Sequence, residues 1–285
     1  MVLLQAIILG IVQGLTEYIP ISSSAHLIIV PWLFGWTDPA LTSLSFDVAL
    51  HMGTLLAVIV YFAADWVRLI SAGISSLVER KIADNPYRRL AWLIIIGTIP
   101  GGIAGMLEES NIDALFHQPG VPITAIAMIV MAIIIALLGT FLFFADRYAS
   151  HNRTMKEITL KDTLIIGFSQ ALAIFPGVSR SGSTITAGLA AGLERADAAR
   201  FSFLLSAPII AGAGLKSLYD VLTNASPLAS QDLLLFFAGF VAAAISGFLC
   251  IHVLLKFLQR NTTLPFVYYR WALAVLIVVV VLVRG

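Results

Sequence analysis

Gln13-Gly14-Leu15-Thr16-Glu17-Tyr18-Ile19-Pro20-Ile21-Ser22-Ser23-Ser24-Ala25-His26 decides how the chain is read. It sets a glutamate, a proline, three serines and a histidine inside an otherwise apolar run. Val2–Thr16 before it is apolar, and His26–Trp36 after it resumes that character. A second stretch repeats the plan: Thr163–Phe175 runs into Pro176-Gly177-Val178-Ser179-Arg180-Ser181-Gly182-Ser183-Thr184, and Ile185–Leu193 follows. Each pair reads as two half-helices joined by a polar break. Broken backbone at membrane depth is tolerated only where it is buried in protein or lines a wet cavity.

Working outward, the whole chain asks for lipid. Of its 285 residues, 59% are hydrophobic and 12% charged, and the mean hydropathy is +0.96. A soluble domain carries about 25% charged residues. The net charge of +1 gives no sign of nucleic-acid binding. The N-terminus has no basic segment ahead of its apolar residues and is read as retained structure rather than a signal peptide. Cys250 is the sole cysteine, which excludes an internal disulfide and a cysteine metal cage. Its place in an apolar run suits packing.

A helix needs roughly 20 apolar residues to cross the hydrocarbon. Six segments meet or approach this: Phe46–Phe62, Ala91–Leu107, Ile123–Ala145, Phe201–Tyr219, Leu233–Leu255 and Pro265–Val283. Lys216 and Arg270 lie near the ends of two of them and are expected to snorkel to the interface. Basic loops mark the cytoplasmic side. Asp65–Leu90 holds Arg68, Arg80, Lys81, Arg88 and Arg89, and Asp146–Asp162 holds Arg147, Arg153, Lys156 and Lys161. Arg195 with Arg200, and Lys256 with Arg260, mark two further basic ends, whereas Asp38–Ser45, Glu108–Gly120 and Asp220–Asp232 lack Lys and Arg. On this assignment the six spans alternate, both termini fall outside, and the two breaks dip toward each other from opposite faces.

An internal repeat agrees with that arrangement. Gly10-x-x-Gln13-x-Leu15 matches Gly167-x-x-Gln170-x-Leu172, and Pro20 with Ser22-Ser23-Ser24 matches Pro176 with Ser179-Arg180-Ser181. Phe46-x-x-x-Leu50 matches Phe201-x-x-x-Leu205. The expected fold is an all-α polytopic membrane protein, one membrane domain over 1–285, with repeat one at about 1–145 and repeat two at about 162–285. It has six spanning helices and two re-entrant pairs of half-helices in an inverted repeat, a plan that puts the site where the broken helices meet.

Ionisable groups in the membrane are functional by default, and few occur here: Glu17, His26, Asp47, His51, Arg180 and His252. Gln13 and Glu17 share a helix face at i, i+4. Ser22, Ser23 and His26 open one half-helix; Ser179, Arg180, Ser181, Gly182 and Thr184 open the other. Helix N-termini attract anions, and Arg adds bidentate recognition of phosphate. Gly182 is read as room for a ligand to approach the backbone. Glu17 and His26 supply a base and a nucleophile or proton donor, with Glu17 activating Ser23 or His26, or holding a divalent cation. Against this stands a buried Glu17–Arg180 ion pair of purely structural purpose. His51, one turn from Asp47, is read as its structural partner, and the spaced pairs Gly10/Gly14, Gly97/Gly101 and Gly188/Gly192 as helix-packing faces.

The first motif resembles the first signature of the undecaprenyl-diphosphate phosphatase family (BacA/UppP), and Pro176–Thr184 resembles the second. Phe46-Asp47-Val48-Ala49-Leu50-His51 and Phe201–Pro208 also fit, so the resemblance covers essentially the whole chain. It implies hydrolysis of the lipid carrier diphosphate to the monophosphate in cell-wall synthesis, with bacitracin resistance. It also implies an inverted-repeat fold whose pocket opens to the outer side of the bacterial inner (plasma) membrane. Glu17 then matches the essential acid, Ser23 the proposed nucleophile and His26 the family histidine. Ser179, Arg180 and Thr184 match the phosphate-binding segment. Gln13 stands where many members have a second Glu, and Ser24-Ala25 replaces the commoner Thr-Gly. The family favours a divalent cation, Mg²⁺ or Ca²⁺, with Glu17 its candidate ligand here, and no organic cofactor is expected. Partners are a polyprenyl diphosphate and the bilayer, without nucleic acid; a homodimer is left open. The competing class is a transporter or flippase for a phosphorylated prenyl lipid, which has little need of an acid–histidine pair beside the anion.

Overall fold

The computed structural model describes residues 1–82, 85–116, 123–223 and 230–284, leaving aside the side chains of 108–116, 218, 220–223 and 230–231. The expected loops at 108–120 and 220–232 therefore lie partly outside the described residues, and their described parts continue the adjoining helices instead. Among those described, every regular element is helical. The first break separates α1 (Val2–Tyr18) from α2 (Ser23–Phe34), and the second separates α7 (Leu160–Ala171) from α8 (Arg180–Ala190). Between them in sequence lie α3 (Leu44–Tyr61), α4 (Ala63–Glu79), α5 (Pro86–Phe116) and α6 (Ala125–Tyr148); α9 (Arg195–Thr223), α10 (Ser230–Leu258) and α11 (Leu264–Arg284) complete the chain.

Among the described residues, six helices are long and apolar enough to cross a membrane: Leu44–Tyr61, Pro86–Leu107, Ala125–Tyr148, Arg195–Ser217, Asp232–Leu258 and Leu264–Arg284. Each overlaps one of the six expected segments, with Pro86–Leu107 and Arg195–Ser217 starting about a turn and a half earlier than expected, and the chain is a multi-pass membrane protein. The 12 residues of α2 and the 11 of α8 are too short to do the same, since 1.5 Å per residue falls well below a core of about 30 Å. Local chemistry makes the breaks. Ile19 is extended and precedes Pro20, which ends α1; Gly35, at φ +65°, ends α2.

One element departs from expectation. The basic stretch Asp65–Leu90, read as a loop, contains most of α4. Its Leu69, Ala72 and Ser76 are buried at helical spacing, while Val67, Ile70, Ile74 and Leu77 are exposed. Its charges sit near the two ends, at Asp65 and Arg68 and at Glu79 to Lys81, and the turns between are apolar on the outside as well, which suits the membrane boundary.

Close helix packing centres on glycines. α10 lies on α1, where a Cβ on Gly10 would meet the Gly239 carbonyl and one on Gly14 would meet Ser246 Oγ. Correspondingly α5 lies on α7, where a Cβ on Gly167 would come 2.6 Å from the Gly97 carbonyl oxygen. Gly10/Gly14 and Gly97/Gly101 are packing faces, as expected. Gly192 is instead a turn residue, at φ +87°.

Arg270 corrects a second expectation. It is fully buried on α11 rather than snorkelling. Its guanidinium donates to four carbonyls: Nε to Ile135 (3.0 Å), Nη1 to Pro20 (3.1 Å), and Nη2 to Gly177 (2.9 Å) and Val178 (3.3 Å). The α6 backbone and both breaks are thereby tied to one side chain.

Candidate active site

Each break turns on a serine. Ser22 and Ser179 hold φ of +79° and +71° and cap α2 and α8, accepting from Ala25 N–H (3.4 Å) and Gly182 N–H (3.0 Å). That sharp turn aims the next residue, Ser23 or Arg180, at the end of α1. Ser181 Oγ donates to the Ile19 carbonyl at 3.2 Å and joins the second break to the first.

Glu17, 5% exposed, is where the elements converge. Its Oε2 accepts from Ser23 Oγ at 2.7 Å and from Gln13 Nε2 at 3.0 Å. His51 Nε2 of α3 lies 3.4 Å from the same oxygen, and Arg180 Nη1 of α8 lies 3.7 Å from Oε1. At 3.7 Å the Arg180 pair is attracted but not hydrogen-bonded, and that buried Nη1 has no hydrogen-bond partner. The site thus presents an unspent donor beside an occupied acid.

A cavity of about 260 Å³ opens on this cluster, lined by Ser24, Asp47, His51, Gln170 and Arg180 and walled by apolar residues including Leu44, Val48, Ile174, Ile209 and Ile210. A larger one, about 350 Å³, lies among Tyr87, Arg89, Lys156 and Arg200. Several of its charged side chains already have protein partners: Arg200 pairs with Asp65 at 2.5 Å, Arg89 donates to the Lys156 carbonyl, and Asp197 accepts the Met155 N–H at 2.7 Å. The smaller cavity is the one that adjoins the Glu17 cluster, through His51 and Arg180.

Of the residues singled out from sequence, the structure brings Gln13, Glu17, Ser23 and Arg180 together. Ser22, Ser179 and Ser181 build the turns just described. Thr184 points elsewhere, its hydroxyl bonded to Ser202 Oγ (2.5 Å) and to the Arg180 carbonyl (2.8 Å). Gly182 makes room for protein rather than ligand, since a Cβ there would fall 2.8 Å from Arg270 Nη1. His26 is also corrected. Its Nδ1 donates to the Ser22 carbonyl at 2.6 Å and its Nε2 accepts from Tyr269 Oη at 2.7 Å, with the two rings stacked. Both nitrogens are spoken for, and neither contact is with Glu17 or Ser23.

His51 is the residue sequence reasoning missed. Its Nδ1 bonds the Asp47 backbone carbonyl at 2.7 Å, leaving Nε2 for Glu17. With an acceptor at each ring nitrogen, the geometry is that of a proton donor. The i, i+4 relation to Asp47 was visible, but it satisfies the other end of the ring. Among the described residues, no three His, Cys, Asp or Glu side chains form a group able to hold a metal ion.

The fold and site define a class: a helical membrane protein with two polar breaks, an acid bonded to a serine, and an arginine paired with that acid whose Nη1 makes no hydrogen bond. The chain belongs to the family described as bacitracin resistance protein BacA, whose model matches residues 6–276. It is similar to the undecaprenyl-diphosphatases of Thermomicrobium roseum (47% identical over 277 residues, 97% of each chain) and Moorella thermoacetica (47% over 284 residues, 100% of each). That of Pelobacter propionicus is 45% identical over 268 residues, 94% of this chain and 93% of its own.

Proposed function

We propose that the chain is an undecaprenyl-diphosphatase, removing the terminal phosphate of undecaprenyl diphosphate to give undecaprenyl phosphate and inorganic phosphate. The observation that carries this reading is the 2.7 Å bond from Ser23 Oγ to Glu17 with Arg180 across from them. Glu17 takes the Ser23 proton as Oγ attacks the terminal phosphorus, a nucleophile and base within hydrogen-bond reach of each other. Arg180 Nη1 and the first-turn N–H groups of α2 and α8 stabilise the charge that develops on the phosphoryl oxygens. His51 hands its Nε2 proton to the departing lipid phosphate. Water then cleaves the phosphoserine and restores Ser23.

A divalent cation such as Mg²⁺ or Ca²⁺ enters this proposal only as a companion of the diphosphate. Such ions commonly take one or two carboxylates plus phosphate oxygens, and Glu17 is the carboxylate that would touch it. It would supply charge neutralisation. The apolar wall accommodates the prenyl chain. The charge bias of the loops supports a site facing the outer side of the bacterial plasma membrane; a membrane-impermeant thiol reagent that labels Asp38→Cys but not Lys156→Cys from outside would agree.

Phosphate release from undecaprenyl diphosphate by the purified protein tests the function. Release that disappears in Ser23→Ala and Arg180→Ala is expected, and folded wild-type protein that binds the lipid without releasing phosphate would refute it.

A further inference from the structure

We propose that Gln170 is a substrate-positioning residue, holding the phosphate that stays on the lipid. It rests on the hydrolase reading above. Gln170 is 3% exposed, yet neither Nε2 nor Oε1 has a hydrogen-bond partner. Buried side-chain amides are nearly always paired, and leaving both ends of one unmade is unfavourable. The side chain lines the same cavity as Arg180, His51 and Ser24.

The repeat explains how the amide was orphaned. Gln13 and Gln170 occupy matching places in the two copies of Gly-x-x-Gln-x-Leu. Gln13 Nε2 donates to Glu17, four residues on. Four residues beyond Gln170 stands Ile174, which accepts nothing. The second copy keeps the donor and lacks the acceptor. Nor does the neighbouring helix supply one, because Gly101 of α5 presents bare backbone: a Cβ there would sit 3.5 Å from Gln170 Nε2.

The cavity then divides by chemistry. Arg180, beside Glu17 and Ser23, serves the terminal phosphate, His51 the oxygen that bridges the two phosphates, and Ile209, Ile210 and Ala213 face the isoprenoid. A neutral donor–acceptor in the same cavity matches the phosphate that joins the two, its N–H donating to a phosphate oxygen and its carbonyl accepting from a protonated oxygen or water.

Gln170→Leu tests this, with Gln170→Met as the near-isosteric variant should the first fail to fold. Each is compared with wild type for KM and kcat on undecaprenyl diphosphate. Inhibition is measured with a prenyl monophosphate, which carries only the phosphate that stays on the lipid, and with inorganic phosphate, which mimics the terminal one. Losing a hydrogen bond to a charged group should raise KM and the monophosphate inhibition constant by about tenfold or more. Inhibition by inorganic phosphate and kcat should change less than about threefold, and thermal stability should hold or rise. Wild-type KM and monophosphate inhibition in a folded variant would overturn the proposal, as would an equal loss of inorganic phosphate affinity. Absence of hydrolysis in the wild type itself would instead count against the hydrolase reading.

Discussion

Ser22 and Ser179 are structural counterparts: 157 positions apart, each holds a left-handed φ (+79° and +71°) and caps the helix that follows with its own hydroxyl. A side chain in that conformation carries strain of order 1–3 kcal/mol, offset in part by a cap worth about 1 kcal/mol. The two terms can be separated by substitution. Ser22→Ala and Ser179→Ala lose the cap and keep the strain, so each should lower stability by about 1–2 kcal/mol. Ser22→Gly and Ser179→Gly relieve the strain and should fall within about 0.5 kcal/mol of wild type. Thermal unfolding in detergent reads the difference, and a glycine variant less stable than its alanine partner would contradict the account.

His51 supplies a proton in this scheme. His51→Asn should leave the fold intact and lower kcat by about 100- to 10,000-fold, whereas His26→Asn should act mainly through stability, because His26 braces the first break against Tyr269. Steady-state kinetics beside unfolding curves distinguish them. Equal kcat losses at unchanged stability would return His26 to the chemistry.

Backbone carbonyls solvate the charge of Arg270: Ile135 of α6, Pro20 from one break, and Gly177 and Val178 from the other. Arg270→Met leaves those carbonyls without a donor and should destabilise by roughly 3–5 kcal/mol. Arg270→Lys should not restore stability, because an ammonium cannot reproduce the guanidinium fork. Recovery of wild-type melting and activity by lysine would show that charge, not geometry, is what the site requires.

Outside the membrane, Asp162 accepts from both terminal nitrogens of the Arg153 guanidinium (Nη2 at 2.6 Å, Nη1 at 3.3 Å) and completes a capping box with Thr159 at the start of α7. Partial burial alone would raise its carboxyl; the Arg153 and Thr159 hydrogen bonds outweigh that and hold it below the usual carboxylate range. A depressed carboxyl stabilises the fold above its unfolded value, near pH 4, and that contribution disappears as pH falls through the lower folded value. Asp162→Asn should therefore cost about 1 kcal/mol at neutral pH and nothing further in acid, where the wild type converges on it. Parallel losses at every pH would contradict this linkage.

Much of this architecture could be read from residues alone, and the exceptions share a cause. The six spans and both breaks announce themselves through long apolar runs interrupted by Pro20 and Pro176. Local signals, however, do not report which of two partners a side chain prefers. His51 has a plausible neighbour at Asp47, but its free nitrogen meets Glu17 across the fold. Arg270 sits six residues into α11 and resembles a snorkelling end residue; only the assembled breaks reveal the carbonyls it reaches. α4 was masked by flanking charge, and His26 by the expectation that a histidine after a serine run must be reactive. Gln170 carried a legible signal, since the repeat places it opposite Gln13 with Ile174 where the acid should be.

The central claim is that the two breaks make one site, with Glu17 from the first and Arg180 from the second acting on the same phosphate. A double-mutant cycle on kcat/KM with Glu17→Gln, Arg180→Gln and the pair tests it most directly. Groups that act as a unit are strongly non-additive, so the double variant should be about as impaired as the worse single one. Losses that simply multiply would show two independent sites and contradict the account.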